Sequence, residues 1–306
     1  MRVTSGERVG YILMLIAVTS WAASFIWLKM ALETLPPAGV AATRFLLASL
    51  ILVSLTLPFS NLRRQLLSRE LWPTLVMIGI LGTFLPNILQ NYGLTYLDAG
   101  ISGVIQGTGP IYTAILAMLV LEEGFGRRKA AGAAAAFLGT LLLSLGLGGV
   151  EKVSAVGVVL VTSSALAYSL YTVALRRSLL NKISPVVVLT GSMVAGTVPL
   201  LLFSYTVESF EAFISPSGSE IGLIVLLAII PTLIAFACYT LALTRIEASK
   251  AGAFIFLVPV GTLLLGSLVL GESVSGAQMG ACALIITGVL LAESESSGYP
   301  GNETSH

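Results

Sequence analysis

Apolar runs of about 20 residues, the length needed to cross a bilayer as a helix, recur ten times along this chain, separated by short polar stretches. They fall at 9–31, 37–57, 71–93, 100–121, 130–147, 156–175, 185–207, 221–244, 250–270 and 277–292. The fifth and tenth are the shortest. Within the runs Ala, Leu and Gly dominate, and polar residues do not alternate with apolar ones as they would along a barrel strand. The pattern predicts an all-α integral membrane protein of ten transmembrane helices.

The fourth run stands out. It contains Gly103-Val104-Ile105-Gln106-Gly107-Thr108-Gly109-Pro110-Ile111-Tyr112 and ends at Leu121-Glu122-Glu123. The chain echoes it 149 residues later, where Pro259 answers Pro110, Glu272 answers Glu123 and Gly288 answers Gly139. Each half therefore holds five predicted spans. Five is odd, so the second copy must run through the membrane in the opposite sense. The expected units are 9–147 and 154–292, two inverted five-helix repeats, followed by a disordered acidic tail at 293–306. Inverted repeats are characteristic of secondary transporters, with a substrate site near the midplane between the halves.

Charge gives the orientation. With the N-terminus in the cytoplasm, 13 of the 16 Lys and Arg residues fall on the cytoplasmic side, Lys29 and Lys152 fall outside, and Arg44 lies within a span. Cytoplasmic loops carry such an excess of basic residues. Ten spans then place both termini inside, and a multi-pass protein of the plasma membrane is expected. The first run is longer than the apolar core of a cleavable signal.

Composition agrees and narrows the chemistry. Hydrophobic residues make up 56% of the chain and charged residues 10%, against about 25% charged in a soluble domain. A net charge of +1 implies no nucleic-acid partner. The sole histidine is His306, and Cys238 and Cys282 each sit in an apolar run. A Cys/His metal centre or a Ser-His-Asp triad is thus nearly excluded, and no cofactor is implied.

Polar residues inside spans are the candidate site. Arg44, about seven residues into the second span, would either attract a carboxylate or pair with Asp98 or Glu33. Thr83, Asn87, Gln90 and Asn91 share one helical face, next to Pro86, which can kink the helix. Amides are costly in lipid, so that face must turn to a cavity or to another helix. Gln106 and Thr108 precede Pro110, and Pro259 marks the apolar counterpart; prolines there predict broken helices. Trp21, flanked by Ser20 and Ser24, and Tyr112, Tyr168 and Tyr239 could wall an amphipathic ligand, or could simply pack the core. Glu123 and Glu272 end equivalent helices and can serve as cap or interface residues; alternatively Glu122 and Glu123, with Arg127 and Arg128, could close a cytoplasmic gate. No acid lies in mid-span, so energy coupling by proton, ion or exchange stays open, as does monomer against homo-oligomer.

The segments Trp21-Ala22-Ala23-Ser24-Phe25, Leu35-Pro36-Pro37 and Thr43-Arg44-Phe45-Leu46-Leu47-Ala48 resemble the opening of EamA-type members of the drug/metabolite transporter superfamily. Tyr239 to Leu243, Ala248 to Pro259, Leu270-Gly271-Glu272 and Gly280 to Leu291 resemble the end of an EamA repeat. The resemblance implies a ten-helix carrier with a central cavity, working by alternating access and typically exporting metabolites or amino acids. The polar approach Gly107-Thr108-Gly109 to Pro110 departs from many relatives. The residues themselves suit a small zwitterionic amino acid or amphipathic metabolite. A nucleotide sugar or sugar phosphate would call for more inward-facing cations, but that substrate, or a drug-like compound, remains an alternative. An integral-membrane enzyme acting on a lipid is a further alternative, without an acid cluster or internal histidine to support it.

Overall fold

The structure, a computed structural model, describes residues 5–97, 105–145, 154–208, 218–270 and 274–294. These are helical, and no strand occurs among them. In chain order they form α1 (Ser5–Leu32), α2 (Pro37–Thr56), α3 (Ser60–Leu66), α4 (Trp72–Gly79), α5 (Leu85–Tyr96), α6 (Gly109–Leu121), α7 (Arg127–Leu145), α8 (Ala155–Leu180), α9 (Pro185–Val207), α10 (Gly218–Leu227), α11 (Ala235–Ala242), α12 (Ala248–Ile255), α13 (Leu257–Leu270) and α14 (Gly276–Glu293). Eight stretches among them are long and apolar enough to cross a membrane. The other two expected spans correspond to α6, which is apolar but 13 residues long, and to α7, which begins on Arg127-Arg128-Lys129. The first part of the expected fourth span, through Val104, lies outside the described residues.

Four irregularities interrupt these helices, and they recur with the spacing of the sequence echo. A π turn at Ile80–Phe84 joins α4 to α5, and another at Ala228–Ile234 joins α10 to α11. Shifting 80–84 by 149 lands on 229–233, inside the second turn. Proline causes both, because it lacks an N–H and crowds the preceding carbonyl. Pro86 follows the first turn and Pro231 lies within the second. The other two are breaks. Gly107-Thr108 form a turn just before α6, and Phe256 separates α12 from α13; these positions are again 149 apart. In each case the proline, Pro110 or Pro259, follows the break at the start of the new segment, where its missing N–H has no helical partner to lose.

Packing crosses between the halves. Helix α1 lies on α11 and α13, while α8 lies on α5 and α6. Helices α2 and α9 pair, as do α6 with α12 and α7 with α14. Since lipid is as apolar as a protein core, such contacts depend on close approach rather than on expulsion of water. Gly79 of α4 and Gly196 of α9 provide one such approach. A Cβ added at Gly79 would lie 2.2 Å from the Ser192 carbonyl oxygen, and one at Gly196 would lie 2.3 Å from the Gly79 carbonyl oxygen. Buried hydroxyl pairs seal the α2–α9 contact: Ser49 with Thr197 at 3.1 Å and Thr56 with Thr190 at 3.0 Å.

Glu293 completes α14 instead of opening the tail, because the helix runs one residue past the expected boundary. Residues 295–306, the rest of that tail, lie outside the described structure, as do Asp98 and Glu272.

Candidate functional site

The π turns and breaks create the site by freeing backbone carbonyls inside the bundle. The Trp21 indole N–H of α1 donates to the Pro231 carbonyl at 3.1 Å. On the other side, Ser164 of α8 donates to the Pro86 carbonyl at 3.0 Å, and Ser169 to the Gly109 carbonyl at 2.8 Å. The first helix of each half thus satisfies an interruption in the other half.

Around Trp21 the rings form one continuous cluster. Trp21 meets Tyr239 at 5.3 Å, Phe236 at 5.7 Å and Tyr168 at 6.2 Å between centroids. Tyr171 adds contacts to Tyr168 at 5.3 Å and to Tyr239 at 6.3 Å. Phe45 joins through Phe236 at 5.9 Å. Aromatic pairs at these separations are worth about 0.5–1.5 kcal/mol each beyond the area they bury. Tyr239 is wholly buried, with its hydroxyl 2.6 Å from Thr172. It therefore backs the wall, whereas Trp21 and Tyr168 keep part of their surface open. Sequence reasoning missed Phe45 and Phe236 as partners of Trp21.

Arg44 continues this surface. Its guanidinium lies 5.0 Å from the Phe45 ring centroid and donates through Nη2 to Asn87 Oδ1 at 2.7 Å. Of the acids expected for it, Glu33 is exposed and Asp98 lies outside the described residues. An amide leaves the guanidinium its full charge. Asn87 also donates to the Thr83 carbonyl at 2.7 Å, within the π region, and Asn91 donates to the Pro37 carbonyl at 3.3 Å. The amide face thus turns towards α2. Asn87 and Asn91 act as interhelical hydrogen-bond partners, Gln90 is half-buried beside them, and Thr83 is buried.

Two expected donors are used locally. Ser24 donates to the Trp21 carbonyl at 2.6 Å and Thr108 to the Ile105 carbonyl at 2.6 Å, which closes the turn before α6. Tyr112, one turn into α6, is half-buried. Arg44 Nε, Gln106 Oε1 and the Tyr168 hydroxyl are buried without a hydrogen-bond partner in the protein. Such groups cost about 1–3 kcal/mol each when left unmade, which makes them candidates for contact with a ligand or water. Gln106 carries its amide oxygen inside the bundle, away from lipid.

At the basic end of the bundle, Glu123 is buried and caps α12. Its carboxylate accepts from the Ala248 N–H at 2.7 Å, the Ser249 N–H at 2.9 Å and the Ser249 hydroxyl at 2.7 Å. Glu123 is therefore a cap, one of the two roles its position allowed, and no ion pair joins Glu122 or Glu123 to Arg127 or Arg128 among the described residues. The cause is local. Glu122 adopts a left-handed conformation, φ 57°, which ends α6 and turns Glu123 inward. Lys129 sits beside it, 2.6 Å from Glu247 and 2.7 Å from the Gly124 carbonyl. Near the other end of the bundle, Glu208 caps α2 through the Ala38 and Gly39 N–H groups, both at 2.8 Å. Neither Lys129–Glu247 nor Glu208–α2 was visible in the sequence, since the partners are more than 100 residues apart.

Eight stretches are long and apolar enough to cross a membrane, and several are interrupted at matched positions around a polar and aromatic interior, the architecture of a multi-pass membrane protein. Residues 8–145 and 155–293 each match the EamA-like transporter family. The chain belongs to that family and, with it, to the drug/metabolite transporter superfamily. It is 27% identical over 281 residues to an "Uncharacterized transporter" of Archaeoglobus fulgidus, covering 92% of this chain and 97% of that one. Over 286 residues it is 27% identical to the "Uncharacterized transporter YvbV" of Bacillus subtilis (strain 168), covering 93% and 92%. It is also 27% identical over 287 residues to a "Probable terminal-alkyne amino-acid exporter" of Streptantibioticus cattleyicolor, covering 93% of each. A solved crystal structure shares the fold with a TM-score of 0.80 at 24% identity, over 92% of this chain and 96% of the other.

Proposed function

We propose that this protein exports a small zwitterionic metabolite of the amino-acid class across the plasma membrane by alternating access. In this reading ten helices form two inverted repeats, 9–147 and 154–292, with both termini in the cytoplasm. The substrate lies between the repeats. Arg44 receives its carboxylate, Trp21 and Tyr168 flank its side chain, and Gln106 Oε1 and the Tyr168 hydroxyl supply the remaining polar contacts. Asn87, Gln90 and Asn91 position Arg44 and the mouth above it. Tyr112 and Thr108 border the break, and Tyr239 supports the ring wall.

One observation carries the reading: a guanidinium held by an amide, with no acid paired to it among the described residues, stands at the end of an aromatic cluster. A single cation beside rings and amides matches a monocarboxylate with an apolar side chain. It lacks the several cations that a phosphate group would need. The amino-acid exporter among the relatives supports the class.

The test is flux. Purified protein in liposomes should move a radiolabelled amino acid saturably, and Arg44→Ala or Trp21→Ala should reduce the flux at least tenfold. Absence of saturable movement for amino acids, sugars and nucleosides alike would end the carrier reading. Movement of a sugar phosphate but no amino acid would end the substrate class.

A further inference from the structure

We propose that Glu293, the last residue of α14, is the binding site of a coupling proton, set in a buried charged cluster at the basic end of the bundle. The proposal rests on the alternating-access reading and adds to it the group that links conformation to pH.

Four carboxylates and two ammonium groups meet there. Three of the acids are matched. Glu123 lies on the N-terminus of α12, where backbone N–H groups and the helix dipole favour a negative charge. Glu247 pairs with Lys129 at 2.6 Å, and Glu7 of α1 lies 3.9 Å from Lys250 of α12. Among the described residues, Glu293 has no cation within ion-pair distance. Both its carboxylate oxygens are shut off from solvent and accept no close hydrogen bond. The Tyr11 hydroxyl of α1 faces it, and Lys250, Lys129 and Glu247 surround it at longer range. Burial disfavours an ionised carboxylate so placed, partly offset by Tyr11 and the two lysines, whereas a protonated one is neutral and needs only one acceptor.

Access to the site also suits a proton. A crevice beside the cluster holds about 20 Å³ of space open to water, room for a single water molecule. It is lined by Pro110 and Phe256 at the two helix breaks and by Lys129, Ser249, Lys250 and Ala292. It therefore runs from the broken helices to the neighbour of Glu293. The carboxylate takes up one proton from bulk solution, carried through a water in the crevice as hydronium: one hydronium O–H bond breaks as the carboxyl O–H bond forms, and neutral water is left behind. The protonation state reaches the rest of the molecule through Tyr11, whose ring stacks on Phe254 of α12 at 5.7 Å. With Glu293 neutral, α1, α12 and α14 close together. With Glu293 charged, the uncompensated carboxylate draws in water and draws Lys129 and Lys250 off their partners, and the closure loosens.

The sign follows from linkage. The closed form binds the proton more tightly, so closure strengthens as pH falls, and one proton changes the open-to-closed ratio by at most about tenfold per pH unit. The test needs no substrate. In the C238A/C282A background, Ala133→Cys, on the wall of the crevice, is labelled with an impermeant maleimide in lipid nanodiscs. Rates are divided by those of the denatured protein at the same pH. The normalised rate should rise about tenfold from pH 6 to pH 8. Glu293→Gln should hold it low and flat, while Glu293→Asp, which still titrates, should keep the rise. A Glu293→Gln profile like that of the parent, or a rate that follows sodium at constant pH, would overturn the proposal. Flux with flat labelling would end the proton site and leave the transporter reading standing. Steep labelling without flux would do the reverse.

Discussion

Glu123 and Ser249 stand 126 residues apart and are joined by two hydrogen bonds, from the Ser249 N–H at 2.9 Å and from its hydroxyl at 2.7 Å. Through them the end of α6 is fastened to the start of α12. Both ends belong to helices interrupted by a proline, so the bond ties one broken helix to the other at the basic end.

Removing that tie should loosen the fold measurably. Glu123→Ala leaves two N–H groups and a hydroxyl of α12 without their acceptor, and loss of a helix cap costs about 0.5–2 kcal/mol. Glu123→Gln keeps one acceptor and should lose less. Thermal melts in detergent should rank wild type above Glu123→Gln above Glu123→Ala. Equal melting temperatures would show that the cap contributes nothing.

Lys129 and Glu247 should behave as a buried pair. Their side chains are 4% and 15% exposed. Lys129→Met strands the Glu247 carboxylate and should cost about 3–5 kcal/mol. The double variant Lys129→Met/Glu247→Leu should recover much of that loss. A double variant whose cost equals the sum of the two single costs would show that no coupling exists.

Glu122 offers a stabilising change. A non-glycine residue with a left-handed backbone pays about 1–2 kcal/mol, and here φ is 57°. Glu122 is exposed, so its side chain contributes little. Glu122→Gly should raise the melting temperature, and a fall would mean that the conformation is favoured by something besides geometry.

These features differ in how far the sequence announces them. Pro110 and Pro259 declared the broken helices because they recur at matched positions in the two halves, whereas Pro199 lies inside the unbroken α9. The amides of α5 declared a buried polar face, although only the structure identifies Arg44 as the partner of Asn87. Pro231 carried an equal signal for the second π turn and went unread, since it lies in the most uniformly apolar run. Phe45 and Phe236 gave no signal. A membrane helix is apolar on both its lipid and its core faces, so hydrophobic periodicity cannot say which ring turns inward. The place of Glu123 at the end of its run allowed a cap, but the helices that Glu123 and Glu208 cap lie more than 100 residues away, and spacing along the chain does not identify them.

Trp21 can be divided into its two roles. Trp21→Phe keeps a ring but removes the N–H that reaches the Pro231 carbonyl at 3.1 Å. It should cost about 0.5–1.5 kcal/mol of stability and leave most of the flux. Trp21→Ala also opens the ring cluster and should abolish flux. Equal flux from the two variants would place substrate elsewhere.

Arg44 tests the substrate class. Arg44→Lys keeps the charge but loses the planar fork that grips both Asn87 and a carboxylate. Its KM for an amino acid should rise about tenfold, while Arg44→Ala should leave no saturable uptake. An unchanged KM in Arg44→Lys would remove Arg44 from contact with substrate.

The α7–α14 seam sets a limit on how such a molecule can move. A Cβ at Gly132 would lie 2.5 Å from both the Gly288 carbonyl oxygen and the Ala292 nitrogen, and one at Gly288 would lie 2.5 Å from the Ala136 nitrogen. With backbone against backbone, the two helices cannot slide along each other. They form a strut with Lys129 near the start of one member and Glu293 at the end of the other. The strut keeps the spacing of Lys129 and Glu293 fixed, so any movement that couples to them falls to the elements packed around it, α1 and α12 among them.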